Sequence, residues 1–316
     1  MDIHEEKLKP IRDGYGDGLL VLGKLNPKVV VLTCDLSEST RSLGFANHFP
    51  NRFIQVGVAE QNMAGIAAGM SHEGLIPFCS SYAVFSPGRN WDQIRVSVCY
   101  SKNNVKIVGA HAGISVGPDG ATHQAMEDIA IMRVLPNMIV LVPADANQAK
   151  AATIAAAKYK GSVYLRLFRE KTPLFTEENK DFKIGQAEVL RKGKNVTIAA
   201  CGPQVYYALQ AAEELAKKKI ECEVINFSTI KPLDKNTLLE SVKKTKKIVT
   251  AEEHQITGGL GSAIAEVLVR EFPVRQEFVG MPDSFGESGE PNELIAKWGM
   301  DEKAIILAVK KVVSRK

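Results

Sequence analysis

The chain has 316 residues, enough for two domains of ordinary size, and its 45% apolar and 24% charged residues are those of a globular protein rather than a disordered, collagenous or disulfide-stapled one. Forty basic against thirty-six acidic residues leave +4, with only a mild local excess at Lys243–Lys247, so no clustered basic face for nucleic acid is expected. No apolar run approaches the ~18 residues of a membrane span.

The start, MDIHEEKLKPIRDG, is polar and partly acidic, so no signal peptide is expected. Short apolar runs then alternate with helical patterns, the signature of an α/β fold with mainly parallel sheets. Strands are expected at Val29–Leu32, Phe53–Val58, Val105–Val108, Met138–Val142 and Val163–Phe168. Between them Met63, Ile66, Ala67 and Met70 recur at helical spacing, and Asp145 caps an alanine-rich helix that stops at Gly161. From Lys171 to Lys183 the segment KTPLFTEENKDFK is polar and carries a proline, so it reads as an interdomain linker. A second α/β unit follows, with strands at Val196–Ala200, Glu223–Phe227, Lys247–Ala251 and Glu277–Val279 and helices at Val205–Lys217, Leu233–Lys243 and Gly261–Glu271. The five cysteines (Cys34, Cys79, Cys99, Cys201 and Cys222) lack metal-type spacing and lie mostly in apolar segments, as reduced core residues of a cytoplasmic protein would.

Five segments have the residue types for chemistry. In Val56-Gly-Val-Ala-Glu60, a strand end meets a helix start, where open α/β sheets place ligands. Glu60 there either complements the helix dipole or is a desolvated acid with a raised pKa, able to share a proton. The loop His111–Gln124 gathers His111, His123, Asp119 and three glycines between a strand and a helix. Asp35-Leu-Ser-Glu-Ser39 offers small hydroxyls that either bind phosphate or cap a helix. Arg166 and Arg169 suit bidentate phosphate binding, or a salt bridge. Gly258-Gly-Leu-Gly261 reads as helix–sheet packing. Gly16-Asp17-Gly18 looks like the start of a magnesium-diphosphate motif, but KPIRDGY before it is no apolar strand and no Asn-Asn pair follows. It is set aside, and no metal ligand is assigned in this chain.

In this order, the segments resemble the C-terminal half of transketolase over nearly the whole chain. RFIQVGVAEQNMAGIAAGM resembles the family's pyrimidine-side glutamate segment, GPDGATHQAMEDIAIMRVLPNMIVLVPAD its Asp-Gly-Pro-Thr-His-Gln stretch, and AEEHQITGGLGSAI and DSFGESGEPNELI signatures of its last domain. The resemblance implies two doubly wound α/β domains: a pyrimidine-binding domain at 1–172, a linker at 173–185 and a transketolase C-terminal domain at 186–316. It implies thiamine diphosphate, with Glu60 on the pyrimidine nitrogen, Phe85 stacked on the ring, and Leu36 and Tyr82 lining the cofactor. Trp91 is expected in the same pocket. Arg12, Ser39, His111 and Arg169 match sugar-phosphate ligands, Asp119 a reader of substrate hydroxyls, and His123 a catalytic contact to the reacting oxygens.

The chain departs from single-chain transketolases at Ala59-Glu60-Gln61, where Arg-Glu is usual, at Pro118 and Ala121, and in the shorter stretch SPGRNW. Ala-Glu-Gln also occurs in 1-deoxyxylulose-5-phosphate synthase, which has an arginine in place of His111. The largest departure is the absent N-terminal domain. The resemblance therefore implies one subunit of a two-chain transketolase, transferring a ketol unit between sugar phosphates. An N-terminal partner would carry the diphosphate and most of the Mg²⁺ coordination, most simply in an α2β2 tetramer. The competing expectations are the beta subunit of a 2-oxo acid dehydrogenase, which has no need of His111, Asp119 and His123 for sugar hydroxyls, a 1-deoxyxylulose-5-phosphate synthase-like enzyme, and a non-catalytic scaffold, which has no use for Glu60.

Overall fold

The structure, a computed structural model, describes residues 7–314. Residues 1–6, part of the polar start read as lacking a signal peptide, and 315–316 lie outside the described residues. Two doubly wound α/β units carry the chain. The first sheet has seven strands in the order Thr229–Lys231, Met138–Leu141, Ser162–Arg166, Lys106–Ala110, Ile76–Tyr82, Val29–Thr33 and Phe53–Gln55. All its pairings are parallel except that of Thr229–Lys231 with Met138–Leu141. The second has five, in the order Arg275–Met281, Lys247–Gln255, Val196–Ala200, Cys222–Asn226 and Glu188–Arg191.

Wholly buried runs such as VVVLT and VTIAA explain why the central strands are continuous rather than alternating: helices cover both faces. The strand after Arg52 stops at Gln55 instead of reaching Val58, because Gly57 turns the chain at φ +75°. Ile76–Tyr82, which no apolar run announces, fills the gap beside Val29–Thr33. These two strands send their following connections to opposite sides of the sheet. The crevice at their carboxyl ends is a topological switch point, where such folds bind ligands.

The N-terminal segment differs from expectation. Leu8–Pro10 is a short strand after all, paired antiparallel with Lys171–Pro173, so the linker begins as a strand. Ile11–Leu25 is a helix with Gly16-Asp17-Gly18 inside it, and Asp17 takes a 2.5 Å hydrogen bond from Lys9. The neighbouring glycines serve packing. A Cβ on Gly14 would lie 2.0 Å from the Ala146 carbonyl, and one on Gly18 2.8 Å from Thr153 Cβ, so only glycine lets this helix seat on Ala146–Lys158.

The units share material. Thr229–Lys231, late in sequence, extends the first sheet, and one core cluster joins Phe168 and Val142 to Ala199, Phe227 and Leu260. All five cysteines are free and buried. Gly261 packs against Phe278 and Thr250, as helix–sheet packing requires, while the Leu260 and Gly261 amides donate to Glu252 at 2.7 and 2.8 Å. Among the described residues no helix is long and apolar enough to cross a membrane.

Candidate active site

Loops at the carboxyl ends of the first sheet's strands build one cluster. The turn after Val29–Thr33 brings Leu36, Ser39 and Arg41; the helix after Phe53–Gln55 begins at Glu60; the loop after Ile76–Tyr82 brings Phe85 and Arg89. The loop after Lys106–Ala110 brings His111, Asp119 and His123, and the chain beyond Ser162–Arg166 brings Arg169. Arg12 enters from the first turn of Ile11–Leu25, its amide bonded to the Phe168 carbonyl at 3.2 Å.

One end of the cluster is cationic. Arg12 Nη1 donates to the Ser39 carbonyl at 2.9 Å and to His111 Nε2 at 2.6 Å. A guanidinium cannot accept, so Nε2 is the acceptor and the ring proton sits on Nδ1. That buried Nδ1–H, and Arg12 Nε, have no hydrogen-bond partner among the described residues. Burial, then Arg12, Arg169 and Arg41, pull the His111 pKa down to about 3. Burial and Arg41 also lower that of Arg12. Arg169 donates to the Val116 carbonyl at 3.0 Å and to Asp119 Oδ1 at 3.3 Å. Unspent donors among converging cations are an arrangement that can hold an anion.

The middle is aromatic. Tyr82 stands edge-on to His111 at 4.0 Å between centroids and stacks on Phe85 at 5.9 Å; His123 lies 5.3 Å from Phe85. At the far end Glu60 is 2% exposed. Its surroundings are not the apolar ones expected: Ser81 Oγ donates to Oε1 and Arg89 Nη1 to Oε2, both at 3.1 Å. The Arg89 guanidinium also lies 4.0 Å over the Phe85 ring.

Two expected residues sit elsewhere. Arg166 is fully buried, held by Asp128 at 2.7 and 2.9 Å, with Tyr164 on the same carboxylate at 2.6 Å. It belongs to the interior, not to an anion site. Trp91 packs on the core and donates its indole N–H to the Ile131 carbonyl at 2.8 Å. Leu36 stays in the turn that joins the cluster, half-buried, its carbonyl accepting from Thr40. Conversely, Arg41, bonded to Asp13 at 2.6 Å, and Arg89 belong to the site, although sequence reasoning assigned neither a role. Arg41 follows Ser39 by two residues at φ +65°, and that closeness was the available signal.

The transketolase pyrimidine binding domain model matches residues 9–173, and the transketolase C-terminal domain model residues 185–305. The chain belongs to the transketolase family. A solved structure described as a split gene transketolase, inactive beta4 tetramer, is 48% identical, covers 96% of this chain and 98% of its own, and superposes with a TM-score of 0.91. A 6-deoxy-6-sulfo-D-fructose transketolase subunit of Clostridium sp. is 43% identical over 97% of this chain and 95% of its own. Mouse transketolase is 38% identical over 96% of this chain but only 49% of its own length.

Transketolase-family membership implies thiamine diphosphate. The residues present fit its pyrimidine end. Arg89, its side chain 47% exposed, already lays a flat N–H donor on Phe85 and against Glu60. For the metal, no cluster of three or more His, Cys, Asp or Glu among the described residues has the geometry to hold an ion.

Proposed function

We propose that this chain is the C-terminal subunit of a two-chain transketolase, moving a two-carbon ketol unit from a ketose phosphate to an aldose phosphate. The observation that carries the reading is the unbroken run of contacts from Arg12 through His111, Tyr82 and Phe85 to Arg89 and Glu60. It joins an anion-binding end to a proton-sharing end along one wall. In this reading residues 1–172 form the pyrimidine-binding domain, 173–185 the linker and 186–316 the C-terminal domain.

Arg12, Ser39, His111 and Arg169 hold the sugar phosphate, with Arg41 adding to the field. Asp119 reads hydroxyls and His123 contacts the reacting oxygens. Phe85, Tyr82 and Leu36 take the cofactor's pyrimidine, and Glu60 exchanges a proton with its ring nitrogen. Thiamine diphosphate, when bound, supplies the nucleophilic carbon that carries the ketol unit. In this reading Mg²⁺, which takes near-octahedral oxygen ligands, and the diphosphate fall to an N-terminal partner. The split-gene relative, an inactive beta4 tetramer, supports partner dependence, most simply in an α2β2 complex.

The sulfosugar relative favours a second reading of the anion, since the same cations accept a sulfonate. The test mixes this chain with a transketolase N-terminal subunit, Mg²⁺ and thiamine diphosphate. Ketol transfer should appear only in the mixture. Glu60→Gln should cost ~10² to 10⁴-fold while assembly persists. Turnover and tight cofactor binding by the chain alone would overturn the two-chain reading. kcat/KM for fructose 6-phosphate against 6-deoxy-6-sulfofructose decides the anion.

A further inference from the structure

The loop that carries His111, Asp119 and His123 is held from two sides. Arg12, in the first turn of Ile11–Leu25, and Arg169, just beyond Ser162–Arg166, grip it from the first unit. The other grip comes from the second unit. Glu253, 1% exposed on Lys247–Gln255, accepts the Ser115 amide at 2.7 Å. The carboxylate sits so close that a Cβ on Gly113, at φ +86°, would lie 2.1 Å from its Oε1. The loop Ser284–Glu290 completes the clamp: Gln124 Nε2 reaches the Glu287 carbonyl at 2.8 Å, and Ser288 Oγ lies 2.5 Å from where a Gly120 Cβ would stand.

A buried carboxylate is costly to desolvate and is kept where its donors are fixed. Here the residues that meet it, Ile114 and Ser115, are consecutive in a loop of the other unit. They lie between His111, at the anion end, and Asp119, on Arg169. We infer that Glu253 is a positioning residue of the substrate site: the C-terminal unit uses its carboxylate to fix the backbone at Ile114–Ser115, and so sets His111 and Asp119 against Arg12 and Arg169. The inference rests on the reading of this loop as the substrate side of a transketolase site. It gives that unit a part in catalysis although none of its side chains belongs to the candidate site.

The test begins with hydrogen exchange on the full chain alone. Glu253→Ala should speed exchange across Ala112–Asp119 by about tenfold or more, since a charge-assisted hydrogen bond is worth that much. Strands of both sheets should keep their protection. Gly113→Ala, which pushes on the carboxylate from the loop side, should do the same. Glu253→Gln retains one acceptor oxygen and should recover part of the protection. With the N-terminal subunit added, Glu253→Ala should raise KM for fructose 6-phosphate about tenfold with a smaller change in kcat, and leave thiamine diphosphate affinity unchanged. Unchanged loop exchange in all three variants overturns the inference. So does loosening throughout both sheets with glutamine no better than alanine, the mark of a merely structural residue. If the loop responds as expected but the wild-type mixture transfers no ketol unit, the functional reading fails and the loop clamp stands.

Discussion

His111 takes its properties from its neighbours more than from its own chemistry. Its backbone is at φ +53°, its ring is buried, and the Arg12 contact forces the proton onto Nδ1. Burial and three arginines hold its pKa at about 3. An unfolded histidine takes a proton near 6.5, so between pH 6.5 and 3 the unfolded chain binds a proton that the folded chain refuses. The stability associated with a neutral His111 is therefore complete above pH 6.5 and is lost as pH falls through that window. The imidazole signal of His111, assigned by its loss in His111→Gln among the six histidines, should show a neutral ring down to pH 5. A midpoint near 6.5 would contradict the converging positive charge. Arg12→Ala should move the midpoint up, because it removes the nearest cation.

At the scale of elements, Asp145 ties a helix to a linker. Its Oδ1 accepts from the Gln148 amide at 2.9 Å, capping Ala146–Lys158, and from Thr176 Oγ1 at 2.6 Å. Its Oδ2 accepts the Phe175 and Thr176 amides at 2.8 and 2.7 Å. Asp145→Ala loses an N-cap and leaves half-buried linker amides unpaired, so urea unfolding should show a loss of about 1–3 kcal/mol. A loss below about 0.5 kcal/mol would mean that water replaces the carboxylate without cost. The helix cap was legible in the sequence; the three linker donors, about thirty residues on, were not. Elements announced by an apolar run were legible in the same way. Ile11–Leu25 was not, since Gly14, Gly16, Gly18 and Gly23 lower helix propensity and make sense only against the partners they touch. Ile76–Tyr82 was hidden by Pro77 and by Ser80 and Ser81, buried serines bonded to Tyr15 and Glu60. Of the candidate site, the residues matching family motifs could be named from the sequence, and they come together in one cluster. Arg89 and Arg166 were not, because what each does depends on partners 29 and 38 residues away.

The molecule as a whole should unfold as one. The first sheet is incomplete without Thr229–Lys231, Glu253 holds Ser115, and Arg133 bonds Glu266 at 2.8 Å. The two tryptophans, Trp91 and Trp298, report on different ends of this assembly. In urea, Trp91→Phe and Trp298→Phe should therefore show the same fluorescence midpoint, once corrected for any stability change seen by circular dichroism. Two separated midpoints would show that the units melt independently.

The borrowed strand also decides how the chain would tolerate a break. A nick between Thr176 and Ile184 cuts the only covalent link at that point, yet Thr229–Lys231 stays laced along Met138–Leu141. Made separately, the leading fragment would end its sheet in a raw edge at Met138–Leu141, and the trailing fragment would carry Thr229–Lys231 with nothing to lie against. Each fragment is the template for the other: a nicked molecule should stay whole, and its halves should be soluble as a pair before they are soluble alone.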